Sequence, residues 1–218
     1  MKLEGLYLIA DTAQLTEKNM DKHIASLIEA GVSMIQFRDK TRYTDEGKAI
    51  QRTHRLAQTI QAQCRIYDIP FIVNDDVSLA TAINADGVHL GRDDMDVREA
   101  RQRLGANKYI GVSCYASALR ALQAQQNGAD YVAFGAVFNS TTKPQAEPLG
   151  LSTKESLCAL EKLSVGIDIP ICAIGGITPN QAKQVLGCGV QMIAVASGIL
   201  TADNPCLAVE HYCRAWLR

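Results

Sequence analysis

Two short stretches concentrate groups that could do chemistry. "QFRDK" ends an apolar run with Gln36, Arg38 and Lys40, and "FIVNDD" ends another with Asn74, Asp75 and Asp76. An arginine fork and a mobile lysine ammonium suit phosphate oxygens. Adjacent carboxylates repel each other, so Asp75 and Asp76 are expected to serve different tasks. Mg²⁺ binds few protein oxygens and leaves positions for substrate phosphates, which suits Asp75. Asp76 is expected to cap the following helix at its N-terminus. "HLGRDD" supplies a second acid for the metal, one of Asp93 and Asp94, and "NSTTK" supplies a third cation, Lys143. The pair Gly175-Gly176 would let backbone N–H groups approach an anion just before a helix begins at Thr178-Pro179.

These groups need elements to bring them together. Short apolar runs alternate with amphipathic segments along the chain. The strands expected are Leu6–Ala10, Met34–Arg38, Phe71–Asn74, Gly87–Leu90, Tyr109–Ser113, Tyr131–Gly135, Ile171–Gly175 and Met192–Ser197. Helices are expected over Asp21–Ala30, Asp45–Arg65 and Ala116–Gln126, among others. Eight strands alternating with helices, without a linker, imply an α/β fold: a closed (β/α)8 TIM barrel, one domain over residues 1–218. A doubly wound open sheet is the alternative. In either, ligands bind at the carboxyl ends of the strands. The residues named above fall there, as do Ser113, Ser197 and the long polar stretch Val137–Gly150, whose length suggests a binding loop.

Composition narrows the partners. The chain of 218 residues is 47% hydrophobic and 21% charged, with net charge −1. No basic field recommends nucleic acid or an anionic membrane, and the aromatics are not interleaved with basic residues. The N-terminal apolar run is too short for a signal peptide or a membrane span, which favours the cytoplasm. Seven cysteines without a Cys-x-x-Cys pair read as buried reduced thiols. His89 reads as a packed, hydrogen-bonded histidine. His23, His54 and His211 lie in helical segments, which leaves a Ser-His-Asp or zinc constellation little support.

The pieces "LYLIAD", "MIQFRDK", "FIVNDDVSLA", "ADGVHLGRDDMDVREAR", "ADYVAFGAVFNSTTK", "ICAIGGI" and "IAVASGI", in this order, resemble the thiamine phosphate synthase family. The resemblance implies a TIM barrel that couples a hydroxymethylpyrimidine diphosphate to a thiazole phosphate. By it, Gln36, Phe37, Arg38, Asp39, Lys40 and Asn74 hold the pyrimidine diphosphate, and Ser113 and Lys143 complete that site. Asp75 and Asp94 bind Mg²⁺. Ser140, Thr141, Thr142, Gly176, Ala196 and Ser197 receive the thiazole phosphate. Arg38, Lys40 and Lys143 carry the catalytic charge. The family commonly has Gln where Arg92 stands. A thiazole tautomerase-like relative and a non-catalytic thiamine phosphate-binding protein are the alternatives. The implied partners are small molecules, and self-association is left open.

Overall fold

The computed structural model describes residues 3–41, 46–140 and 145–217. Its strands are β1 (Gly5–Asp11), β2 (Val32–Arg38), β3 (Phe71–Asn74), β4 (Gly87–Leu90), β5 (Tyr109–Tyr115), β6 (Tyr131–Phe134), β7 (Ile171–Ile174) and β8 (Met192–Val195). All pair in parallel in sequence order, and β8 returns to β1, which closes the barrel. The helices are α1 (Met20–Glu29), α2 (Glu46–Ile66), α3 (Val77–Ala82), α4 (Val97–Leu104), α5 (Ala118–Gln126), α6 (Thr153–Ser164), α7 (Pro179–Leu186), α8 (Ser197–Leu200) and α9 (Pro205–Cys213). The open-sheet alternative is thereby excluded. No helix among the described residues is long and apolar enough to cross a membrane.

The strands lack apolar–polar alternation because both of their faces are buried. The faces still have separate destinations. On β1, Leu6, Leu8 and Ala10 join the layer between strands and helices, while Tyr7 and Ile9 fill the lumen. On β2, Ile35 and Phe37 pack outward and Met34 inward. The same alternation turns Gln36 inward, against Tyr7. Register then places Asp11 opposite Arg38 and Asn74 opposite His89, so polar ends collect at one rim.

Helix starts follow side-chain caps. Asp76 accepts from the Leu79 N–H at the start of α3, the role expected of it, and Asp96 caps α4 in the same way. Ser152 and Glu155 form a reciprocal capping box on α6. All seven thiols are free, but only Cys64, Cys114 and Cys172 are buried. Cys188, in the turn after α7, and Cys206 and Cys213, in α9, are half-buried, and Cys158 in α6 is exposed.

Candidate active site

A cavity of about 420 Å³ opens at the carboxyl ends of the strands. Every strand reaches it: Asp11, Arg38, Asn74, His89, Ser113, Ala133, Ile174 and Val195 all line the wall. Its lower wall mixes apolar Ile9, Ala133, Cys172 and Ala194 with the polar groups of Tyr7, Gln36 and His89. Above it, the charged and amide-rich groups divide into two halves.

The half built on β2 to β5 is charged, and Arg38 and Lys40 each face an acid. Arg38 donates from Nη1 to Asp11 Oδ2, which leaves most of the fork's five donors for other acceptors. Lys40 pairs with Asp75 Oδ2, which also accepts from Asn74 Nδ2 at 2.7 Å. Asp75 adopts a left-handed backbone, φ +64°, which Asp tolerates better than most residues. That turn separates the two acids: Asp75 faces the rim, and Asp76 goes to the helix. Asp94 accepts from the Gly91 N–H and lies near enough to Asp75 for the two carboxyls to interact. Burial pushes the Asp75 carboxyl up, but the hydrogen bond and charge of Lys40, together with Asp94, outweigh it and hold Asp75 below its ordinary value. Burial and the neighbouring Asp75 carboxyl raise Asp94. Two carboxyls this close favour one shared proton or one shared cation.

The half built on β6 to β8 offers small residues and backbone instead. Gly175 and Gly176 have φ of +102° and +65°. A Cβ on Gly175 would meet Ala136 Cα at 2.6 Å, and one on Gly176 would meet the Asn139 carbonyl oxygen at 2.2 Å. The segment after β6 therefore lies directly against them, with Phe138 N donating to the Gly175 carbonyl at 2.9 Å. Glycine is required here by backbone packing, a reason the sequence did not disclose. Gly176, Ser140, Ala196 and Ser197 all line the cavity, and Ser197 opens the short helix α8.

Of the residues named from sequence, Gln36, Arg38, Asn74, Ser113, Ser140, Gly176, Ala196 and Ser197 converge on the cavity, and Lys40, Asp75 and Asp94 cluster beside Asn74. Two side chains point elsewhere. Phe37 is buried in the outer layer beside Phe71, ring centroids 6.4 Å apart. The Asp39 carboxylate is only 4% exposed and accepts from Thr12 Oγ1, Thr53 Oγ1 and the Thr41 N–H. It ties the segment after β2 to α2 instead of facing the cavity. Burial raises its carboxyl, but those hydrogen bonds prevail and bring it down to about 2. Thr141, Thr142 and Lys143 lie outside the described residues.

Sequence reasoning passed over Asp11, Tyr7, Tyr131 and Tyr115. Asp11 ends "LYLIAD" just as Arg38 ends "MIQFR", a signal that was available. Tyr115 follows a register shift in β5 and takes φ +54°. It carries the exposed Arg92 guanidinium 4.7 Å from its ring centroid. Among the described residues, no cluster of three or more His, Cys, Asp or Glu could hold a metal. A resident ion here would rest on the Asp75–Asp94 pair.

Comparison with known proteins gives a consistent picture. Residues 6–199 match the family model described as thiamine monophosphate synthase. The chain is 44% identical to the thiamine-phosphate synthase of Nitrosococcus oceani over 210 residues, 96% of this chain and 91% of that one. It is 40% identical to that of Thioalkalivibrio sulfidiphilus, over 94% of this chain and 91% of the other. The solved thiamine phosphate pyrophosphorylase from Pyrococcus furiosus superposes with a TM-score of 0.80 at 33% identity, covering 96% of this chain and 94% of that one.

Proposed function

The chain belongs to the thiamine monophosphate synthase family, and from that premise we propose that it couples a hydroxymethylpyrimidine diphosphate to a thiazole phosphate, giving thiamine phosphate and diphosphate. One observation carries the reading. A charged half-rim suited to a diphosphate and a backbone-rich half-rim suited to a single phosphate face one another across one cavity.

The reaction breaks a C–O bond at the methylene of an electron-rich aminopyrimidine. Negative charge grows on the departing diphosphate while positive charge spreads into the ring. Arg38, Lys40 and Lys143 stabilise that negative charge, and electrostatic terms of this kind usually dominate catalysis. Asn74 and Ser113 hydrogen-bond the same substrate, and Gln36 reads its pyrimidine. Phe37 and Asp39 support this half from behind, one by packing and one by tying the segment after β2. The thiazole phosphate sits against Ser140, Thr141, Thr142, Gly176, Ala196 and Ser197, where barrel enzymes commonly hold phosphate. Its ring nitrogen carries no proton to remove when it attacks the carbocation-like carbon, so no general base or protein nucleophile is required.

The donor set fits Mg²⁺: two hard carboxylates, Asp75 and Asp94, already drawn together, with phosphate and water oxygens to complete the shell. When bound, the ion supplies further neutralisation of the diphosphate. Retention of Arg38, Lys40, Asp75, Asp94 and Lys143 favours coupling over thiazole isomerisation or binding without chemistry. Both precursors incubated with protein and Mg²⁺ should yield a product of the coupled mass, and omission of Mg²⁺ should suppress it. Absence of that product with the metal present would end the reading.

A further inference from the structure

A continuous line of polar groups crosses the lumen along the cavity floor, with Gln36, Tyr7, His89 and Ser113 all lining the cavity. Gln36 Nε2 donates to Tyr7 Oη at 2.8 Å, and Tyr7 Oη lies 2.9 Å from Tyr131 Oη. Tyr131 Oη is 3.0 Å from His89 Nδ1, and His89 Nε2 is 2.9 Å from Ser113 Oγ. The line runs from β2 through β1 and β6 to β4 and β5. Gly111 makes the crossing possible. It stands between His89 and Tyr131 in the strand register, and a Cβ there would lie 2.0 Å from the tyrosine ring.

Burial holds both phenols protonated, raising each far above its ordinary value. Each therefore brings a single proton, and with a neutral imidazole one sense of the line leaves no phenol hydrogen without an acceptor. The Gln36 amide N–H occupies the Tyr7 oxygen as a donor. Tyr7 then gives its own proton to Tyr131, and Tyr131 gives its proton to His89 Nδ1. An imidazole that accepts at Nδ1 carries its hydrogen on Nε2, so it donates to Ser113 Oγ. The serine's own hydrogen is left for the cavity.

We infer that Tyr7, Tyr131 and His89 are positioning residues that fix Ser113 as a hydrogen-bond donor toward an anionic ligand. This rests on the diphosphate reading above, in which Ser113 touches the departing group. Networks of this kind act as units, since each bond polarises the next.

The test uses the full chain labelled with ¹⁵N-histidine and long-range ¹H–¹⁵N correlation. Wild type should show His89 as a single Nε2–H tautomer. Tyr7→Phe keeps the ring but frees Tyr131 to give or to take, so His89 should become a mixture of tautomers. Inorganic diphosphate with Mg²⁺, followed by calorimetry, should bind about tenfold more weakly to Ser113→Ala. Tyr7→Phe should weaken it about twofold to threefold, the factor expected when the competent tautomer falls to a fraction. Added to Ser113→Ala, Tyr7→Phe should do nothing further. An Nδ1–H tautomer in wild type would overturn the inference. So would an unchanged tautomer in Tyr7→Phe, or equal weakening by Tyr7→Phe with and without the serine. If wild type forms no coupled product, the proposed function falls, while the tautomer still decides the proton line.

Discussion

The two halves of the rim handle anions by different physical means. Around β2 to β5, long charged side chains are paired among themselves: Arg38 with Asp11, and Lys40 with Asp75. Around β7 and β8, Gly176 and Ala196 offer only backbone and small side chains, pinned by packing against the segment after β6. Mobile side-chain charges can follow a leaving group as its charge grows, whereas a rigid backbone holds a group whose charge does not change. The charged half therefore suits the diphosphate that departs, and the glycine half suits the phosphate that stays.

Substitutions can break this contrast, and the largest effect is expected at Asp75, one of the two proposed Mg²⁺ ligands. Asp75→Asn keeps a residue that tolerates φ +64° but removes the charge. Its rate of coupling should fall about 10²- to 10³-fold, with thermal unfolding moved by only a few degrees. A variant that loses stability in proportion to its rate would make Asp75 a structural residue. Arg38→Lys comes next. It keeps the charge and loses the fork, so coupling should slow about tenfold to a hundredfold; a rate equal to wild type would remove the bidentate contact.

Gly176→Ala sharpens the comparison from the other side. The added Cβ must displace the Asn139 carbonyl and adopt φ +65°, which should cost about 2 kcal/mol. The KM for the thiazole phosphate should rise more than that for the pyrimidine diphosphate, and the opposite ranking would reverse the assignment of the halves. Asp39 provides a pH test. Its folded value of about 2 lies below the ordinary 3.8, so its contribution is complete above pH 4 and is lost as pH falls toward 2. The amount is about 2 kcal/mol. Thr53→Ala should shrink this acid dependence in denaturant titrations at pH 2 to 5, and an unaltered slope would discount the Thr53 hydrogen bond. The smallest effect is expected from the neighbour of that proposed ligand. Asp76→Ala should cost about 1 kcal/mol of stability through the lost α3 cap and leave coupling within about twofold. A large rate loss would mean that the two adjacent acids share one task.

Strand order, barrel closure and the split between Asp75 and Asp76 were legible in the chain, because local rules govern them. Apolar runs between helix caps set the strands, and an acid just before Val77 must either cap or turn outward. Strand ends also named most of the rim, since a parallel barrel can display functional side chains only there. Three things required tertiary structure. Phe37 and Asp39 sit within "QFRDK", yet the inward and outward alternation of β2 and the hydroxyls of Thr12 and Thr53 turn them from the cavity. Gly175 and Gly176 read as an anion nest, but the close approach of the segment after β6, which by itself requires glycine at both positions, leaves no mark in the chain. The line from Gln36 to Ser113 joins residues on five strands. No spacing along a chain records which side chains meet across a lumen, because strand register and the empty place at Gly111 decide that only when the barrel closes.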